Sequence, residues 1–110
     1  MRSALIATIG VALAACQSSN VSRDLGARCD TQADCNEFCA SGSAYPGGFC
    51  TEFCAARGDC PSGATCADRE SGICLYECTN NADCMFLGPG WGCKAVDLRG
   101  GGIKVMACSG

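Results

Sequence analysis

Three runs of the chain open alike: Cys29-Asp-Thr-Gln-Ala-Asp34-Cys35, Cys54-Ala-Ala-Arg-Gly-Asp59-Cys60 and Cys78-Thr-Asn-Asn-Ala-Asp83-Cys84. Each is a cysteine, five residues ending in aspartate, and a second cysteine. Each run then passes a third cysteine (Cys39, Cys66, Cys93) and reaches a fourth (Cys50, Cys74, Cys108). Gly48-Phe49-Cys50 and Gly72-Ile73-Cys74 close the first two runs in the same way. Recurring similarity of this kind marks a repeated structural unit. We assign units to residues 29–50, 54–74 and 78–108, which account for twelve of the thirteen cysteines. Twelve is even and allows six disulfides, but spacing alone leaves their connectivity open.

A chain of this composition needs such cross-links. From Cys29 onward it carries sixteen large apolar side chains, among them Phe38, Phe49, Phe53, Ile73, Leu75, Met85, Phe86, Leu87, Trp91, Val96 and Leu98. So thin a core offsets little of the conformational entropy lost on folding. A disulfide closing a loop of about 13 residues contributes roughly 3 kcal/mol, although nested loops do not add simply. Cysteines and glycines interrupt every window before a three-turn helical stripe develops. The expected fold class is small and disulfide-rich: irregular and loop-dominated, with short β-hairpins, built from three tandem four-cysteine repeats. The clearest hairpin lies in the last unit, where residues 91–98 and 103–108 flank Arg99-Gly100-Gly101-Gly102. Ile103, Val105 and Ala107 alternate with Lys104 and Met106, as in a half-buried strand. That pairing brings Cys93 towards Cys108 without requiring a bond between them.

At the N-terminus, Arg2 precedes an uncharged, mostly apolar run from Ala4 to Ala15. It is too short to span a bilayer, which takes about 20 residues, and suits a signal peptide. The run closes on Leu13-Ala14-Ala15-Cys16, which resembles the lipobox of bacterial lipoprotein precursors. The resemblance implies that residues 1–15 are a signal peptide that is removed, and that Cys16 carries a diacylglyceryl thioether, often with acylation of the freed amine. Two or more acyl chains anchor stably where one does so only marginally. The expected localisation is the cell envelope, lipid-anchored; Gln17 in place of Asp leans towards the outer membrane and leaves the leaflet open. Residues 16–28, polar and without periodicity, are expected to form a flexible tether about 20 Å long to a cysteine-rich domain over residues 29–110.

Charge and inventory exclude several activities. Without Arg2 the eight basic residues become seven, scattered from Arg23 to Lys104, against eleven acidic ones, a net charge of −4. No basic stripe invites nucleic acid. The chain has no histidine, so no Ser-His or Cys-His nucleophile pair can form, and we expect neither an enzyme nor a cofactor. Structural zinc favours Cys-x2-Cys spacings and often histidine. Neither occurs, and an oxidising compartment favours disulfides. Asp34, Asp59 and Asp83, each one residue before a cysteine, suit bonds to turn amides. No Asp-x-Asp-x-Asp-Gly loop supports calcium.

The stretch Cys54-x5-Cys60-Pro61-x-Gly63-x2-Cys66 resembles part of the whey-acidic-protein domain and the Dickkopf-type cysteine-rich region over about 13 residues. The adjacent Cys-Cys pair of the former is absent. Whey-acidic-protein pairing, carried over, implies Cys54 with Cys66 and Cys60 with Cys74. Extended along the repeat it implies Cys29 with Cys39, Cys35 with Cys50, Cys78 with Cys93, and Cys84 with Cys108. Taken whole, the chain resembles the cysteine-rich repeat lipoproteins of myxobacteria-like bacteria. Phe38, Tyr45, Phe49, Phe53, Tyr76 and Phe86 are expected to pack on disulfides. Trp91, in Gly88-Pro89-Gly90-Trp91-Gly92, is the candidate exposed anchor for an envelope protein or glycan. The leading expectation is a membrane-anchored, non-catalytic surface interaction or structural module of unspecified oligomeric state. The alternatives are a protease inhibitor presenting Arg57 or Arg69, and a metal or thiol-redox protein.

Overall fold

The computed structural model describes residues 21–110. The expected signal peptide, the lipid site at Cys16 and the first residues of the expected tether lie outside them. Among the described residues, six short strands form three two-stranded antiparallel sheets. β1 (Phe38–Ala40) pairs with β2 (Phe49–Thr51), β3 (Ala64–Ala67) with β4 (Ile73–Tyr76), and β5 (Gly92–Asp97) with β6 (Lys104–Ser109). A 3-10 segment precedes each hairpin, at Gln32–Asp34, Arg57–Asp59 and Asn81–Leu87, and no α-helix occurs among the described residues. The chain is thus a small disulfide-rich fold of short hairpins with little helix.

Register explains how the cross-links work. The third and fourth cysteines of each run stand directly opposite one another: Cys39 and Cys50, Cys66 and Cys74, Cys93 and Cys108. Opposed residues of an antiparallel pair project to the same face. None of these pairs bonds internally. Cys39 bonds back to Cys29 and Cys50 to Cys35; Cys66 to Cys54 and Cys74 to Cys60; Cys93 to Cys78 and Cys108 to Cys84. These are the same six pairs that the whey-acidic-protein resemblance implies when extended along the chain. Each hairpin therefore has its preceding 3-10 segment bolted across one face by two adjacent disulfides. The glycine before each closing Phe-Cys or Ile-Cys is required there. Gly48 and Gly72 hold φ of +83° and +102°, and a Cβ at either would run into the carbonyl of Cys29 or Cys54.

The hairpins are also stitched to one another. Past β2, Phe53 bridges Ile73 in β4, while the Cys74 amide donates to the Glu52 carbonyl (3.1 Å). Past β4, Glu77 bridges Ala107 in β6, and the Cys78 amide donates to the Met106 carbonyl (3.2 Å). The strand closing one hairpin thus continues as an edge of the next. Beneath these seams Phe49, fully buried, has Trp91, Tyr76 and Tyr45 around it at ring-centroid distances of 5.2, 6.2 and 6.4 Å. The larger core cluster draws residues from Leu25 to Cys108, and a smaller one gathers Cys29, Cys35, Cys39 and Cys50.

Two expectations change. Residues 21–28 are not a loose tether but part of the body. Leu25 is buried, its carbonyl accepts the Tyr76 hydroxyl (3.0 Å), and Gly26 and Ala27 exchange backbone bonds with Cys50 (both 2.8 Å). The free edge of β2 and the buried phenol both need these partners. Ile103, expected on the buried face of its strand, is 58% exposed. It lies at the outer end of the β5–β6 hairpin, beyond the body, whereas Ala107 at the inner end is buried.

Because the three hairpins share Phe49, Phe49→Ala is expected to destabilise the oxidised protein by about 3 to 5 kcal/mol and to shift one cooperative transition. Denaturant unfolding followed residue by residue in NMR would check this; a hairpin that melts separately would mean independent units.

Candidate functional site

The cysteine sulfurs come together in threes. Those of Cys29, Cys35 and Cys39, of Cys54, Cys60 and Cys74, and of Cys78, Cys84 and Cys108 each lie within 4.8 Å of one another. Every one is bonded in a disulfide. The clusters are therefore neighbouring cross-links on a hairpin face, and no thiolate is presented there to a metal or an oxidant.

The three aspartates hold the 3-10 segments closed. One carboxylate oxygen of Asp34 accepts from the amides of Asp30 (2.8 Å) and Thr31 (3.1 Å). Asp59 does the same with Ala55 (2.9 Å) and Ala56 (3.0 Å), and Asp83 with Thr79 (2.8 Å) and Asn80 (3.2 Å). Amide donors favour the ionised form. The bonds from Asp30 and Thr31 hold the Asp34 carboxyl below its ordinary 3.8, and those from Ala55 and Ala56 do the same for Asp59. Two further side chains complete this arrangement. Gln32 both accepts from the Cys39 amide (2.8 Å) and donates to its carbonyl (3.0 Å), and Asn81 accepts from the Cys93 amide (2.8 Å). Their signal was an amide side chain two residues before the repeated aspartate, present in two of the three runs.

Trp91 is not an exposed anchor. It is 7% exposed, its indole N–H donates to the Pro46 carbonyl (2.9 Å), and its ring packs on Phe49. The flanking glycines that suggested an open loop instead let the chain pass close to its neighbours, as Gly90 does against Pro46 and Gly92 against Asn81. Arg57 is exposed, on a 3-10 turn rather than an extended loop. Arg69 donates to the Ser109 hydroxyl (2.7 Å). It also lies beside Tyr45, whose hydroxyl burial pushes up while Arg69 pulls it the other way.

Sequence reasoning missed one concavity among the described residues. An open cleft of about 490 Å³ lies where the loop after Val21, the Pro61-Ser62-Gly63 turn and the end of the Asn81–Leu87 segment meet. Asp24, Glu52 and Glu77 line it together with Leu25, Tyr76 and Phe86. Partial burial raises the Glu52 carboxyl above its ordinary 4.5, and Asp24 and Glu37 add to the shift. These carboxylates are far apart in sequence and belong to no motif. Such a surface can attract a cation and shield its carbon stem.

The lowered Asp34 and Asp59 values set an acid dependence. The folded state binds those protons less tightly than the unfolded chain does. Their contribution to stability is therefore present above about pH 4 and lost as pH falls through the folded-state values. A carboxyl-detected NMR titration should place both below 3.8, and midpoints at or above that value would remove the turn-holding role. Compared with known proteins, the chain matches no family model, no curated protein and no solved structure.

Proposed function

We propose that this chain is a lipid-anchored, non-catalytic protein of the bacterial cell envelope, probed by partners as one rigid module made of three copies of a four-cysteine unit. The observation that carries the non-catalytic reading is the use made of the reactive residues. All twelve cysteines of the module are in disulfides, and the repeated aspartates bind turn amides. Framework of this kind suits an element that presents a surface, either to an envelope protein or glycan or as a structural part of the envelope.

The anchor reading is supported by the Leu13-Ala14-Ala15-Cys16 sequence. Val21 lies five residues beyond Cys16, a reach of at most about 18 Å at 3.3 to 3.6 Å per residue. A lipid on Cys16 would hold the module against the headgroups rather than far above them. Gln17 favours the outer membrane as the destination.

Intact mass of the protein extracted from its native envelope, alkylated with and without reduction, tests both parts. The expected species starts at Cys16, carries a lipid-sized increment, takes up no alkylating agent before reduction and gains twelve adducts after it. A chain that keeps residues 1–15 or lacks lipid would end the anchor. Several adducts before reduction would end the framework in favour of thiol or metal chemistry.

A further inference from the structure

We infer that the cleft lined by Asp24, Glu52 and Glu77 is a docking surface for a basic segment of a partner protein, taking the charged head of an arginine or lysine side chain. The inference deepens the reading of this chain as an interaction module and does not depend on its lipid anchor.

Three observations converge on that occupant. First, Asp24, Glu52 and Glu77 line one open cleft of about 490 Å³ from separate parts of the chain. Second, among the described residues no lysine or arginine lines the cleft. The ion pairs of the described residues, Arg99 with Asp68 and Lys104 with Asp97, involve none of its carboxylates. Arg23, next in sequence to Asp24, donates instead to Asn36 (3.2 Å) and to the Ala33 carbonyl (2.9 Å), and Asp24 accepts a neutral amide bond from Asn36 (2.8 Å). Glu52 is partly buried and shares its field with Asp24 and Glu37. Gathering like charges is unfavourable until a cation from outside relieves it.

Third, the remaining wall is aromatic. Phe86 is 51% exposed in this cleft and meets Tyr76 edge-on at 5.0 Å, while the Tyr76 hydroxyl is fixed on the Leu25 carbonyl. A half-exposed ring beside carboxylates suits the side chains that combine an apolar stem with a cationic head. A hard metal ion prefers oxygen ligands all round and gains nothing from that wall. An anionic surface would be repelled.

The test uses the oxidised full chain in detergent micelles, titrated with the peptide acetyl-Gly-Arg-Gly-Arg-Gly-amide while NMR follows the Ser22 and Gly63 amides and the Phe86 ring. Saturable shifts are expected at these groups, with affinity about three- to fivefold weaker in Glu52→Gln and unchanged in Asp68→Asn. Glu77→Gln serves as the second variant, with the same weakening expected. Equal shifts from the peptide with glutamine in place of arginine, or unaltered affinity in both glutamate variants, would overturn the inference. So would phosphatidylethanolamine vesicles that move these resonances where the peptide does not. Peptide binding by protein that carries no lipid would uphold the cleft and end the anchor; lipid on Cys16 without peptide binding would do the reverse.

Discussion

Cysteines that face each other across a hairpin could bond to one another and fasten nothing else. In this chain each reaches backward instead, so two disulfides lie side by side on one face of every hairpin and clamp the preceding 3-10 segment there. Much else follows from that constraint. The segment must stay tightly turned to bring its two cysteines over the hairpin, and the aspartate before the second cysteine holds it so by accepting two amides. Close approach of backbones at the clamp then leaves room only for glycine at positions 48 and 72.

Clamps of this kind could have produced three beads on a string. The backbone between them prevents it. The closing strands of the first two hairpins run on to become edges of the following ones, so neighbouring hairpins share hydrogen bonds as well as peptide links. Phe49, Tyr45, Tyr76 and Trp91, from separate parts of the chain, then close over a common centre. Few large apolar residues suffice because cross-links already limit the unfolded ensemble, and the few present are gathered in one place.

Carboxylates serve this molecule in two ways. Those of the repeat bind backbone amides, which stabilise their charge and pull two of them below the ordinary range. Glu52 is placed oppositely: it is partly buried near other acids, and its proton is held more tightly. The first arrangement satisfies its charges internally. The second sets Glu52 among other acids on an aromatic-walled surface, where the inferred cationic side chain of a partner would sit.

The sequence by itself determined the class of fold, the repeated four-cysteine runs, the turn role of the aspartates and the hairpin that sets Cys93 opposite Cys108, because each is encoded over a few neighbouring residues. Spacing could not choose the disulfide partners; a resemblance supplied that choice. Tertiary structure alone decided that residues 21–28 belong to the body, where Leu25 and Tyr76 satisfy each other, and that Trp91 is inside, since flanking glycines permit close approach as readily as exposure. It also decided the cleft. Asp24, Glu52 and Glu77 become neighbours only after the strands have passed from one hairpin to the next, and no local pattern records a meeting made by long-range packing.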